Sequence, residues 1–100
     1  MAEYRDDHFE WDEAKSAERL RRSGFDFHAA RRVFDSDRYV ERFDEGHSGE
    51  EDRCIVTGTL NGEFVSVVYT VRGSRKRILS AFEADDEDIA DFMVTYAIDE

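Results

Sequence analysis

The sequence predicts an α+β fold in one domain that spans residues 1–100: a short N-terminal strand, two helices, an antiparallel β-meander and a C-terminal helix. Two observations support this prediction. Residues 53–81 contain three β-rich runs separated by tight turns, which is typical of strands joined by hairpins. Residues 85–98 carry apolar side chains at helical spacing, which is how a surface helix attaches to a sheet. A hydrophobic fraction of 40% suffices for one modest core.

The N-terminal elements are predicted from the residues at their ends. Residues 8–11 form a short strand, in which alternation places the two aromatic side chains in the core. Asp12 is a favourable N-cap for a helix over residues 13–22, and the glycine at position 24 ends that helix. Asp26 can cap a second short helix, whose apolar residues are Ala29, Ala30, Val33 and Phe34.

The second half of the chain is predicted to be mainly β-structure. A strand near residues 38–44 is followed by a polar loop over residues 45–52. The dipeptide Asn61-Gly62 favours a type I′ hairpin turn, because both residues adopt positive φ angles readily. A second tight turn is expected at residues 72–74. The three strands of the meander are predicted at residues 53–60, 63–71 and 75–81.

The C-terminal helix is predicted to begin near Asp85 and Asp86, whose negative charges suit a helix N-terminus. Its apolar stripe indicates packing against the sheet. The residues of that stripe are Ile89, Phe92, Met93 and Tyr96.

Charge is distributed unevenly along the chain. The net charge is −11, which by itself opposes nucleic-acid binding, because phosphate groups are bound by basic surfaces. Residues 19–34 and residues 53–82 nevertheless each carry a balance of +4, whereas the remaining segments are acidic. These two basic blocks are therefore the places where a phosphate chain would bind favourably.

Other classes of protein are disfavoured by the composition. No apolar run is long enough to cross a bilayer, and the acidic N-terminus does not resemble a signal peptide. Cys54 is the only cysteine, so it cannot form an internal disulfide, and it is interpreted as a small buried hydrophobic residue. We therefore expect a cytoplasmic protein. No metal or cofactor is predicted, because no His, Cys and Asp residues show ligand spacing.

Several stretches, taken in order, resemble the BrnT family of toxin ribonucleases, and the resemblance covers about residues 8–84. They are residues 9–15 (FEWDEAK), Gly24, the spacing of Phe27, Ala30, Val33, Phe34 and Asp35, residues 47–53 (HSGEEDR), residues 67–70 (VVYT) with Arg72 and Gly73, and residues 77–81 (RILSA).

The resemblance implies a fold similar to that of RelE-type ribonucleases and the function of a toxin in a type II toxin–antitoxin pair. It implies RNA as substrate and a cognate BrnA-like ribbon-helix-helix antitoxin as partner, with which the chain would form a hetero-oligomer. Two alternatives stay open, because Phe82 and Glu83 stand where the family usually has basic residues. The chain could be an inactive BrnT-like binding module for an antitoxin, or an interaction protein whose acidic helix recognises another basic partner.

RNA cleavage without a metal ion needs a base that activates the ribose 2′-hydroxyl, cations that stabilise the transition state, and an acid that protonates the leaving oxygen. His47 is a candidate acid or base, because its ordinary pKa near 6.5 suits proton transfer at neutral pH. Equally, it could be a loop histidine without a role. Glu51 is a candidate base, and its alternative is a solvated carboxylate in an acidic loop.

The candidate cations are Arg53, Arg72 and Arg77 on the strands of the meander. Guanidinium groups bind phosphate bidentately, and strand alternation can place such residues on one face. The alternative is cross-strand pairing with acidic neighbours, which we expect for Arg75 and Lys76. Lys15 on the first helix is a candidate phosphate anchor or general acid; its alternative is an ordinary place on a solvated helix face.

Overall fold

The computed structural model describes residues 2–44 and 52–96. These residues form a six-stranded sheet in the order β1-β2-β6-β5-β4-β3. Neighbouring strands are antiparallel except β2 and β6, which are parallel. In chain order the elements are β1 (Glu3–Arg5), β2 (Phe9–Asp12), α1 (Glu13–Ser23), α2 (Phe27–Ala30), a 3₁₀ helix (Arg31–Asp35), β3 (Val40–Phe43), β4 (Cys54–Leu60), β5 (Glu63–Arg72), β6 (Arg75–Glu83) and α3 (Asp86–Thr95).

The structure confirms the predicted first strand and first helix and adds strand β1. The Asp12 carboxylate accepts a hydrogen bond from the backbone N–H of Ala14 at 2.8 Å, and α1 ends at Gly24 as predicted. β1 was not predicted, because its single aromatic residue, Tyr4, gives no alternating pattern. Its position depends on a tertiary contact: the Tyr4 ring stacks on the Trp11 ring with centroids 4.3 Å apart.

The predicted second helix is divided into α2 and the 3₁₀ helix. Phe27, Ala30 and Val33 are all buried. Their three-residue spacing matches the 3₁₀ period, so one line of side chains faces the sheet along both pieces. The approach to β4 is close, since a Cβ added at Gly58 would lie 2.9 Å from Cγ1 of Val33. The glycine in β4 therefore makes room for the 3₁₀ helix.

The predicted antiparallel meander is confirmed in β4, β5 and β6. Asn61 and Gly62 adopt φ angles of 53° and 85°, as a type I′ turn requires. The whole sheet is nevertheless mixed, because β2 joins it alongside β6 in parallel, with Phe9 opposite Lys76. That pairing links the N-terminal segment to the last strand of the meander.

The main core lies between the sheet and the layer formed by α2 and the 3₁₀ helix. Phe9 and Trp11 are buried there, as predicted, together with Tyr69. Cys54 is half-buried beside this core. In the part of the chain that the structure describes, no helix is long and apolar enough to cross a membrane.

Helix α3 packs on the opposite face of the sheet. Phe92 is buried, and its ring centroid lies 5.2 Å from that of Phe64. Met93, predicted to belong to the packed stripe, is 38% exposed. The helix instead directs Asp88 inward, where its carboxylate pairs with the Arg42 guanidinium on β3 at 2.8 and 3.2 Å. An ion pair with a buried carboxylate and a half-exposed arginine thus replaces part of the expected apolar contact.

Candidate functional site

Two of the predicted site residues, Lys15 and Arg53, line the same surface cleft of about 450 Å³, which we call the sheet cleft. Lys15 lies on α1 and is exposed, whereas Arg53 directly precedes β4 and is half-buried. The two residues come from different parts of the sequence, so the fold creates their proximity. The remaining lining residues are Asp44, Ile55, Val68, Leu79, Ser80 and Phe82.

The parallel pairing of β2 and β6 explains why Lys15 reaches this cleft. α1 follows β2 without a break, and β6 continues beyond the end of β2, so α1 lies beside the second half of β6. There the register between β5 and β6 shifts: Tyr69 is opposite Ile78, but Val68 is opposite Ser80. Leu79 is therefore an extra residue, and such bulges redirect the side chains around them.

Hydrogen bonds to backbone carbonyl oxygens position the chain on the other side of the sheet cleft. The N–H of Asp44 donates to the carbonyl oxygen of Arg53 at 2.8 Å, joining the end of β3 to the start of β4. The Thr70 hydroxyl donates to the carbonyl oxygen of Asp52 at 2.6 Å. The backbone on both sides of residues 45–51 is consequently fixed to the sheet.

His47 and Glu51, the predicted acid and base, lie outside the described residues. The described residues that flank this segment are Asp44 and Asp52. Asp44 lines the sheet cleft, and Asp52 is adjacent to Arg53, which also lines it. The roles of His47 and Glu51 stay predictions.

The predicted arginines of the meander share one face of the sheet. Arg77 is opposite Thr70, and Arg72 lies two residues further along β5, so alternation places both on the face opposite the main core. Arg53 continues the register of β4 with β5 and belongs to the same face. Their surroundings differ, however, because only Arg53 lines the sheet cleft.

Arg77 is held in a network that we call the paired cluster, formed with Glu3, Glu10 and Arg5. Its guanidinium donates to Glu3 at 2.7 and 2.9 Å and to Glu10 at 2.9 Å. The hydrogen bond from Arg77 lowers the pKa of Glu3, and the same bond raises the pKa of Arg77. The Glu10 side chain is only 7% exposed. This is the cross-strand pairing that the sequence left open as an alternative.

Arg75 and Lys76 make contacts other than the acidic pairs that we expected. The Nε of Arg75 donates to the backbone carbonyl oxygen of Asp6 at 2.7 Å. The Lys76 ammonium lies 5.8 Å from the ring centroid of Phe34 and 5.7 Å from that of Tyr69. The difference arises because Lys76 is on the core face of β6, where aromatic rings are its neighbours.

Sequence reasoning missed a second cleft, of about 430 Å³, beside the first, which we call the helix cleft. Its α1 wall includes Lys15, Glu18, Arg19 and Arg22, and its sheet wall includes Leu79 and Ser80. The only signal for Arg19 and Arg22 was the basic block to which they belong. Ser80 carried no chemical signal, although it lies in one of the stretches that resemble the BrnT family.

The two clefts share Lys15, Leu79 and Ser80 and therefore lie side by side; we call the two together the groove. Among the residues that the structure describes, four basic and two acidic side chains line this groove, in a chain whose net charge is −11. Such a local excess of cations attracts anions despite the overall charge. Because the cations come from both basic blocks, the groove is suited to bind a chain of phosphate groups.

Other reactive groups contribute less to this chemistry. The pKa of the Cys54 thiol is raised by burial and by the nearby Glu41 carboxylate, which disfavours the nucleophilic thiolate. Within residues 2–44 and 52–96, no group of three or more His, Cys, Asp or Glu side chains is arranged to hold a metal ion. Lys15 and Arg53 are thus the predicted site residues that the described structure brings together.

No curated protein matches the sequence. Residues 11–88 match the family described as the ribonuclease toxin, BrnT, of type II toxin–antitoxin systems. The matched region extends from β2 to the first turn of α3 and includes both walls of the groove. Since it covers more than half of the chain, the protein belongs to the BrnT family of type II toxin–antitoxin ribonuclease toxins.

Proposed function

We propose that this BrnT-family protein is an endoribonuclease that cleaves RNA through attack by a ribose 2′-hydroxyl on the adjacent phosphate, without a metal ion. The observation that supports the proposal is that Lys15 and Arg53 line the same cleft. Their two positive charges can stabilise a phosphate whose negative charge increases in the transition state. An RNA strand in the groove would present its phosphates to both residues.

In the proposed reaction, a base removes the proton of the 2′-hydroxyl, and the resulting oxyanion attacks phosphorus. The 5′ oxygen leaves and takes a proton from an acid, so the products end in a 2′,3′-cyclic phosphate and a 5′-hydroxyl. Glu51 or His47 would be the base, and His47 or Lys15 the acid. Arg53 would bind the phosphate, while Arg72 would add positive potential from the same face of the sheet.

Family membership implies an antitoxin partner. We propose that this partner is a BrnA-like ribbon-helix-helix protein and that the two form a hetero-oligomer in the cytoplasm. Binding of the antitoxin at the groove would neutralise the toxin by keeping RNA away from Lys15 and Arg53.

A second candidate function is antitoxin binding without RNA cleavage. The paired cluster favours it, because two carboxylates already balance the charge of one predicted phosphate-binding residue, Arg77. Glu83, at the end of β6, and the acidic N-terminus of α3 add negative charge in this part of the chain. The cleavage assay described next separates the two functions.

The test is cleavage of a synthetic RNA in the presence of a metal chelator. We expect the wild type to leave 2′,3′-cyclic phosphate ends, and Lys15→Ala, Arg53→Ala and His47→Ala each to lower the rate by about 10²–10³-fold. The control is Arg32→Ala, which removes an exposed cation from the 3₁₀ helix, outside both clefts, and should retain the wild-type rate.

Thermal melting of each variant checks that the fold is intact. Wild-type cleavage by Lys15→Ala or Arg53→Ala would remove that residue from the site. A wild-type protein that binds the antitoxin but leaves RNA intact would establish the binding module instead.

A further inference from the structure

The helix cleft is large enough for a ligand of its own. Its volume of about 430 Å³ lies within the range of roughly 300–1,000 Å³ that is typical of small-molecule sites. It is separated from the sheet cleft only by the shared residues Lys15, Leu79 and Ser80. A polymer that follows the groove would therefore place neighbouring units in the two clefts and the link between them at Lys15.

One side of this cleft, on α1, carries a cation held in position, and the opposite side is apolar. The Nε of Arg22 donates to the Glu18 carboxylate at 3.0 Å, which restrains the long arginine side chain. An arginine engaged through Nε still has two terminal NH₂ groups that can bind a phosphate. Leu79 and Phe27 line the opposite side, where the flat face of a nucleobase could lie.

The Glu18 carboxyl is ionised at neutral pH, as an exposed glutamate ordinarily is. It therefore acts as a fixed anchor for Arg22. Arg19 extends the same wall and donates to the Ser23 hydroxyl at 2.9 Å. Both arginines of the wall are thus held by a neighbour one helical turn away.

We propose that the helix cleft is a second nucleotide subsite, which binds the RNA nucleotide next to the cleaved bond and holds its phosphate through Arg22 and Arg19. This proposal rests on the proposed function and adds a length requirement to it. Productive binding needs at least two nucleotides, one in each cleft. Lys15, at the junction, contacts the phosphate between them.

The test measures binding and cleavage separately for matched arginine variants of α1. Arg22→Ala removes a residue of the cleft, whereas Arg21→Ala removes the same charge from the adjacent position, which does not line it. The binding probe is a 2′-O-methyl RNA oligonucleotide, which cannot undergo 2′-hydroxyl attack, and its Kd is measured by fluorescence anisotropy. Cleavage of the unmodified oligonucleotide gives kcat and KM.

For Arg22→Ala we expect the Kd and KM to rise about tenfold, as expected for loss of a charge-assisted hydrogen bond, while kcat changes less than about twofold. Arg21→Ala should change the Kd by less than about threefold, and Arg22→Lys should lie between these values because it keeps the charge but loses the planar fork. These substitutions are on an exposed helix face, so melting temperatures should stay at the wild-type value.

Equal effects of Arg22→Ala and Arg21→Ala would overturn the subsite, because they would show only a general loss of charge. That result leaves the proposed ribonuclease function intact if the wild type still cleaves RNA. A wild type that neither binds nor cleaves the oligonucleotides would overturn both the function and the subsite.

Discussion

The sheet cleft and the paired cluster contain the same kinds of side chain on the same sheet but arrange them differently. In the sheet cleft, Lys15 is exposed and faces a groove that also contains Arg53. In the paired cluster, Arg77 is only 16% exposed and is held between Glu3 and Glu10. The first arrangement exposes the Lys15 ammonium to a ligand, whereas the second neutralises the charge of Arg77 within the fold.

This difference shows that the neighbouring strands determine whether the charge of an arginine is neutralised within the fold. β1 brings Glu3, and the parallel strand β2 brings Glu10, to the side of β6 where Arg77 lies. A guanidinium in such a position stabilises the sheet by neutralising a buried carboxylate. We therefore expect substitutions in the paired cluster to lower the free energy of unfolding, and substitutions in the groove to lower activity.

The largest effect on stability is expected for Arg77→Leu. The substitution leaves the buried Glu10 carboxylate without its closest cation, which typically costs about 3–5 kcal/mol. Arg5, whose Nε lies 3.6 Å from Glu10, should keep the loss near the lower limit. The free energy of unfolding is measured by urea denaturation at pH 7, and Lys15→Leu in the groove is the control, with an expected change below about 0.5 kcal/mol.

A double variant sharpens the same comparison. Replacing both Arg77 and Glu10 with leucine removes the charge and its partner together, so most of the lost stability should return. The distinction between the two regions would fail if Arg77→Leu kept wild-type stability but lost RNA cleavage about 100-fold. Arg77 would then act on the substrate like the residues of the groove.

A smaller effect is expected from acid, through Asp6. The Tyr4 hydroxyl donates to the Asp6 carboxylate at 2.7 Å, and the backbone N–H groups of His8 and Phe9 donate at 2.8 Å. These bonds, together with Arg31, outweigh burial and hold the pKa of Asp6 well below its ordinary value of 3.8. A lowered pKa stabilises the fold above the ordinary value, and this stability is lost as the pH falls towards the folded value.

The measurement compares unfolding free energies at pH 7 and pH 3. Asp6→Asn should be less stable than the wild type at pH 7 and should lose less stability between the two pH values. Asp7→Asn, at the exposed neighbouring position, should lose as much as the wild type. Equal acid sensitivity of the wild type and Asp6→Asn would show that the Asp6 hydrogen bonds do not contribute to the pH dependence.

The sequence predicted those features whose signals are local. The turn at Asn61-Gly62, the cap at Asp12 and the strands of the meander all follow from short patterns, and the structure confirms them. The groove depends instead on the parallel pairing of β2 with β6 and on the bulge at Leu79. Neither leaves a pattern in nearby residues, so the proximity of Lys15 and Arg53 required the tertiary structure.

The partners of Arg77 in the paired cluster were not predicted, for a related reason. Its carboxylates come from β1 and β2, and Glu3 belongs to a strand that has no periodic pattern. From the sequence, pairing of Arg77 with acidic residues was therefore only an alternative to phosphate binding. Which carboxylates pair with it depends on long-range register, which alternation within one strand does not determine.

Helix α3 extends the comparison to carboxylates, because its N-terminus carries both acidic residues that make hydrogen bonds within the fold and acidic residues that are exposed. The Asp85 side chain caps the helix by accepting from the N–H of Asp88 at 2.9 Å, and Asp88 itself pairs with Arg42. Asp86 and Glu87 are exposed. The exposed pair can consequently be neutralised without disturbing the cap or the ion pair.

The smallest effect is therefore expected for the double replacement Asp86→Asn and Glu87→Gln. Each lost charge removes a favourable interaction with the helix dipole of about 0.3–1 kcal/mol at most. Asp88→Asn, the control, weakens the pair between a buried carboxylate and Arg42 and should cost more. Because α3 residues do not line the groove, the double variant should keep the wild-type RNA cleavage sites and crosslinks. Its non-specific affinity for RNA should rise modestly, because negative charge is removed. RNA crosslinks that map to Ile89 or Phe92 would contradict this expectation, since they would place the substrate on α3 itself and not in the groove between α1 and β4.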